Sequence, residues 1–399
     1  MKFFKNPANI YTLLWCLYYL QGLLYTEGGT LSKGLLVILL LYSLYCAVTV
    51  ISMRKVPSFF RGMTPLFIMM SIYGIFRMLF VGDISVEGSI IPSYNALKIV
   101  VLSLTPVYVY YLLSVRGYIN ETWIRSWLFV FFVVVALCLY KDQISALQRA
   151  LELHSDRTEF TNNTGYLFLA LFPAITFFRK KPLIMYLFLV ICSGFILFAM
   201  KRGAILIAII ALLYIVLSSF SKSKGRTKFA IIVLSILLAI GVLEFVEYFY
   251  SSSDYFVARI EQTRSGDASG RQEMFPMYLN YLLNQVNLIT FLFGAGADGS
   301  WLVFGEVAHN DWFQMAIDYG LIGFVIYLIY WLDILKNRKS FDNNPLIQPY
   351  TLFIIIELMK TFFSFSIIQL PIYETCIIGY CLCEVGKKKI VLNKNELVA

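Results

Sequence analysis

Apolar runs of membrane-crossing length recur along almost all of this 399-residue chain, separated mostly by short polar stretches. A hydrocarbon core about 30 Å thick takes about 17–25 residues of helix at 1.5 Å rise per residue. Lipid supplies no water to a broken backbone ladder, so helices are the form these runs take. Composition agrees where it bears on this: 14% of residues are charged, against about 25% in soluble domains. The reading is an all-α, polytopic integral membrane protein, one domain over 1–399.

Twelve transmembrane helices are read, at about 10–25, 34–52, 65–81, 95–114, 126–141, 163–178, 182–200, 203–220, 229–246, 311–335, 346–367 and 370–385. Merging at Lys201-Arg202 or in the short last pair would give ten or eleven. With the N-terminus inside, the cytoplasmic segments hold 21 of the 33 Lys and Arg, from Lys2 and Lys5 to the Lys387-Lys388-Lys389 tail with Lys394. This is the positive-inside bias, and it places both termini in the cytoplasm. It also accounts for most of the formal charge of +9, leaving no case for nucleic-acid binding. The seven cysteines fall in or beside apolar spans, so neither a disulfide framework nor a metal site is expected. No cleavable signal peptide is evident, because the first apolar run is long and lacks a small-residue cleavage site.

The extracytoplasmic connections differ in character from the basic cytoplasmic ones. Segment 142–162 suggests a short surface helix followed by His154, Asp156 and Arg157, with His154 read as a solvated loop residue. The major loop runs from about 247 to 310 and carries short interfacial helices. It contains Arg259, a turn-rich stretch from Arg264 to Gly270, a helical pattern from Arg271 to Phe293, and a break at Gly294, Gly296 and Gly299 that allows close backbone approach.

This loop concentrates the candidate chemistry. Arginine is always charged at neutral pH and offers a planar fork of donors that matches phosphate oxygens. Arg259, Arg264 and Arg271 lie away from the loops that set topology, and Arg271, preceded by two small residues, opens a helix whose N-terminus favours an anion. Lys201-Arg202-Gly203 forms a second cationic point at an outer helix end. His309 stands directly before Asn310-Asp311-Trp312-Phe313. An imidazole with an ordinary pKa near 6.5 suits proton removal from a hydroxyl, and Asp311 or Asp318 is a candidate to orient it. Inside the spans, Glu357 and Lys360 are three residues apart and read as an ion pair on one helix face. Arg77 has no evident local partner, and it stands between a structural and a substrate-contacting role.

The order Lys201-Arg202-Gly203-Ala204, Ser269-Gly270-Arg271, Phe293-Gly294-Ala295-Gly296, His309-Asn310 and Tyr319-Gly320-Leu321-Ile322-Gly323 resembles the O-antigen polymerase and ligase (Wzy-like) family, most closely over about 195–335. One departure is Lys201 where many members have serine. The resemblance implies a glycosyltransferase that needs no metal or other cofactor. It would work on a polyprenyl-pyrophosphate-linked oligosaccharide at the outer face of the bacterial cytoplasmic membrane. It implies that His309 activates the acceptor hydroxyl and that Arg202 and Arg271 bind pyrophosphate. Lys201, Arg259, Arg264, Asn310, Asp311 and Arg77 are then secondary candidates. A repeat-unit polymerase is the first expectation, with a chain-length regulator and a flippase as partners. The alternatives are a ligase that moves the glycan to a lipid or protein acceptor, and a transporter of the lipid-linked oligosaccharide.

Overall fold

In the computed structural model, helix ends fall where the sequence withdraws helical backbone geometry. Met200 adopts φ 51, a left-handed value that side chains disfavour. This ends the helix Pro182–Phe198 just before Arg202–Lys222 begins, so the break read at Lys201-Arg202 is real. The expected span 163–178 is split around Pro173 into Thr164–Leu169, Phe172–Ile175 and a final tight turn. The structure describes residues 3–86, 89–152, 163–222, 225–252, 257–258, 261, 271–364, 366 and 371–396.

The protein is all-α apart from one antiparallel strand pair among the described residues, Ile84–Val86 with Ser89–Ile91. Seven described helices are long and apolar enough to cross a membrane: Thr30–Ile51, Phe59–Val81, Asn95–Val115, Glu121–Ala146, Arg202–Ser221, Ile231–Tyr248 and Asp311–Phe341. The expected spans at 163–178 and 182–200 are shorter apolar helices, Thr164–Phe178 and Pro182–Phe198.

Two compact units interleave along the sequence. The first comprises Met1–Leu39, Gly117–Asp267 and Gln348–Ile356. Its first helix begins at Pro7, where a missing N–H costs nothing, and Asn6 caps Ala8 N–H. Asn9 Oδ1 accepts from the indole N–H of both Trp123 (2.7 Å) and Trp127 (3.1 Å), which ties that helix to the long helix Glu121–Glu152. Phe168 stacks on Phe195 at 4.7 Å, joining two further helices.

The second unit comprises Leu40–Arg116, Ala268–Ile347 and Glu357–Ala399. Phe59–Phe76 continues through a wider π-helical turn, Arg77–Val81. It packs through Phe59 on Tyr330 of the helix Asp311–Arg338 and through Phe60 on Tyr108 and Tyr111 of Thr105–Val115. Asp311–Arg338 is interrupted at Gly320, whose φ 66 and ψ −165 are not helical. An interruption in an apolar span leaves carbonyls without partners, and in lipid these must be satisfied internally. The Gly294 segment does so: Ala295 N–H donates to Ile317 O at 2.8 Å and Gly296 N–H to Asp318 O at 3.0 Å. The approach needs two bare α-carbons. A Cβ on Gly294 would lie 2.4 Å from the Asp318 carbonyl, and one on Gly320 would lie 2.5 Å from the Leu292 carbonyl.

Candidate active site

His309 sits on a short, strained link. Its φ of 48 lies in the left-handed region that residues with side chains rarely occupy. Its neighbours are fixed on both sides. Asn310 caps the broken helix, its Oδ1 accepting from the backbone N–H of Trp312 (2.9 Å) and Phe313 (3.2 Å), a task for which asparagine is favoured. Ala308 N–H donates to Gln314 Oε1 at 2.9 Å. His309 itself is half-buried between a buried alanine and a buried asparagine.

Gln314 carries this order further into the unit. Its Nε2 donates to Ser300 Oγ and to Asp318 Oδ2, each at 2.6 Å, and Ser300 N–H donates to Asp318 Oδ1 at 2.8 Å. Asp318 therefore acts on the histidine segment through Gln314. Asp311 Oδ2 accepts from the Tyr327 hydroxyl at 2.7 Å and from Ser366 N–H at 3.0 Å. Ser366 Oγ donates to Glu357 Oε2 at 2.6 Å, and Glu357 Oε1 takes Lys360 Nζ at 2.7 Å. The Glu357–Lys360 pair read from the sequence is present and fully buried.

Arg77 has the partner that its neighbourhood in sequence did not disclose. The buried guanidinium is ion-paired with Asp298 and donates to Ile91 O at 3.1 Å. Asn95 Nδ2 supports the carboxylate, donating to Asp298 Oδ1 at 2.9 Å. Asp298 itself adopts φ 56 and opens the short helix Gly299–Phe304 whose Ser300 meets Asp318. One buried network thus runs from the span Phe59–Val81, through the glycine-rich turn, to the base of the His309 link.

Arg271 opens the helix Arg271–Asn280, as the sequence predicts, and its side chain lies outside the described residues. The helix packs beside His309. Phe275 lies 5.3 Å and Tyr278 5.7 Å from the Phe313 ring, and Tyr278 meets Phe304 at 4.8 Å, around buried Ala308 and Ile317. Burial pushes the Tyr278 phenol up to about 12, with the Glu306 carboxylate acting in the same direction, so it stays protonated at neutral pH.

Lys201 and Arg202 are half-buried in the first unit, Arg202 as the first residue of its helix. The second unit brings His309, Asn310, Asp311, Arg77 and the Arg271 helix into one connected region. Arg259, Arg264 and His154 lie outside the described residues, and residues 142–152, expected as the start of a separate surface helix, continue the helix Glu121–Glu152. Among the described residues no group of His, Cys, Asp and Glu is arranged to hold a metal ion. Sequence reasoning missed Asp298, Asn95, Ser300 and Gln314. A usable signal was present for Asp298, a carboxylate in the glycine-rich run Gly294 to Gly299 and so in a tight turn.

The fold and these buried charges define a multi-pass membrane protein whose polar network gathers at the start of one broken helix. Residues 187–328, somewhat over a third of the chain, match the sequence profile of a family described as O-antigen ligase. The match spans Arg202, Arg271, the Gly294 segment, His309 and Gly320. It bears out the resemblance to the O-antigen polymerase and ligase family and supports an activity of that general type. No curated protein matches the chain significantly.

Proposed function

We propose that the protein is a polysaccharide repeat-unit polymerase of the O-antigen or capsule type, facing outward from the cytoplasmic membrane. The donor is a glycan on a polyprenyl pyrophosphate, and the acceptor is the terminal hydroxyl of another lipid-linked repeat unit. His309 takes the hydroxyl proton as the oxygen attacks the anomeric carbon from the face opposite the pyrophosphate. The carbon–oxygen bond to pyrophosphate breaks, and polyprenyl pyrophosphate leaves with the electron pair, which gives inversion. Pyrophosphate is already a competent leaving group, so the protein needs to position it, neutralise its charge and accept one proton. Arg271 and Arg202 supply the charge, with Lys201, Arg259 and Arg264 as supporting cations.

The observation that carries this reading is the fixed His309 link, held on one side by the Asn310 cap and on the other by Gln314, with the Arg271 helix packed beside it. A general base must be placed before its pKa matters. The test is to supply purified protein with lipid-linked oligosaccharide, without metal or nucleotide. Chain lengthening is expected. His309→Ala and Arg271→Ala should abolish it at normal membrane levels of protein, and Arg202→Ala should raise the donor concentration required. Wild-type polymer from both His309→Ala and Arg271→Ala would overturn the assignment.

The description of the matched family favours a second reading, ligase-type transfer to a lipid or protein acceptor. Carrier-linked product in cells lacking the protein separates the two: single repeat units indicate a polymerase, and full-length glycan indicates a ligase. Translocation without new glycosidic bonds would point instead to a transporter. A chain-length regulator and a flippase are the proposed partners of the polymerase.

A further inference from the structure

Between Glu273 and Asp298 the chain carries no charged residue, although this stretch belongs to the long polar interruption between spans. It also leaves large apolar side chains uncovered. Leu288 and Ile289 are each 72% exposed and Leu283 68%, with Leu279, Phe291 and Phe293 exposed as well. Leaving these side chains in water would forfeit about 1.5–3 kcal/mol apiece relative to burial.

The segment is tied to the spans within its own unit. The Tyr73 hydroxyl, in the span Phe59–Val81, donates to Phe293 O at 2.7 Å, and the next three residues meet the break at Gly320. Lys336, Arg338 and Lys339 mark the far end of the broken span. Gly320 lies about 24 Å from Lys336 along the helix, inside a core about 30 Å thick. With Lys336 at the membrane surface, Phe293 lies at the depth of the apolar core.

Polar groups of the segment pair locally. Asn287 Oδ1 accepts from Thr290 N–H at 2.9 Å, Gly294 N–H returns to Thr290 O at 2.8 Å, and Asn284 Nδ2 donates to Asn280 Oδ1 at 2.8 Å. Non-helical turns near lipid require this kind of internal satisfaction.

We propose that residues 279–293 form a lipid-embedded segment, its exposed leucine, isoleucine and phenylalanine side chains in contact with acyl chains of the leaflet that the broken span enters at Gly320. The occupant is bulk lipid, because the segment carries no charge, exposes large apolar side chains between its amides, is hydrogen-bonded at Phe293 to one apolar span and leads directly into the break of another. The inference does not depend on the proposed reaction.

The test places a nitroxide on Leu288→Cys and, separately, on Ile289→Cys in the full chain, reconstituted in phosphatidylethanolamine–phosphatidylglycerol vesicles. Leu332→Cys, exposed on the broken span, serves as the lipid reference. Unlabelled wild-type protein taken through the same reaction controls for the seven buried native cysteines. Oxygen collisions should exceed those of a water-soluble nickel chelate several-fold at 288 and 289, as at 332. Preferential collision with the nickel chelate, or shielding from both reagents as under a protein partner, would overturn the proposal. Photolabelling of the unsubstituted protein by a diazirine lipid supplies a measurement free of substitutions: adducts within 279–293 are expected, and their absence alongside adducts on Phe59–Val81 counts against it.

Discussion

Two buried ion pairs in the second unit solve the same problem over very different sequence distances. Glu357 and Lys360 lie one turn apart on a single helix. Arg77 and Asp298 join the third expected span to the turn before His309. The first pair stabilises charges that any insertion of its helix would bury. The second cannot form until distant parts of the chain have met, so it reports on, and fixes, the geometry of the fold. A buried charge stripped of its partner costs about 3–5 kcal/mol, whereas an apolar pair of similar shape can be nearly neutral. The local pair can therefore form with its own helix, whereas the distant pair forms only with the fold.

The largest effect is expected where that distinction is sharpest. Asp298→Ala strands Arg77 and the Asn95 donor together, and should lower stability by about 3–5 kcal/mol, read from thermal unfolding in detergent. Arg77→Met with Asp298→Leu should recover much of that loss while activity stays low, because the turn is no longer oriented. Additive losses in the double variant would show that the pair is not the source. Glu357→Gln, by contrast, keeps one oxygen to accept from Lys360 and puts an amide donor where the other oxygen accepted from Ser366, whose hydroxyl can turn to accept it, and should cost less than Asp298→Ala in the same melt. An equal or greater cost would erase the contrast between the two pairs.

Next in size is Gly320→Ala. It places a side chain in a conformation that costs about 1–3 kcal/mol and drives a methyl into the Leu292 and Gly294 backbone. Loss of both stability and product is expected, and normal melting would argue that the span is unbroken in the membrane. The smallest stability effect belongs to His309→Gly. Relief of the left-handed strain should leave stability unchanged or raise it by up to about 1 kcal/mol while product formation is lost. A clearly destabilised His309→Gly protein would mean that the imidazole holds the fold rather than performs chemistry.

These cases also show what the sequence disclosed. Glu357 and Lys360 were readable as a pair because helical periodicity fixes residues three apart on one face, and Arg202 and His309 stood out as candidates because their motifs are contiguous. The glycines from 294 to 299 announced a close approach, but what they approached was unreadable. Gly320 lies in a run apolar enough to pass for an uninterrupted span, and only the carbonyls taken by Ala295 and Gly296 disclose the break. Arg77 was conspicuous as a charge in an apolar run, while Asp298, more than two hundred residues away, stood among polar neighbours where a carboxylate draws no notice. Gln314 and Ser300 are commonplace at the start of a helix, and their joint hold on Asp318 exists only after folding. For the seven described helices long and apolar enough to cross a membrane, boundaries were legible to within several residues. The division into two interleaved units was not, because hydropathy records exposure to lipid and not which helices choose one another.

The joint between the glycine-rich turn and the broken span is main chain on main chain. Such a joint has little memory of the side chains around it. The donors and acceptors that meet there belong to the backbones of Ala295, Gly296, Ile317 and Asp318, whereas one added methyl at Gly294 or Gly320 closes the gap. Tolerance across this region should therefore have two sources: at Ile317 and Asp318 it is set by their own packing and carboxylate contacts and not by the joint, and at Gly294 and Gly320 the joint itself leaves almost none.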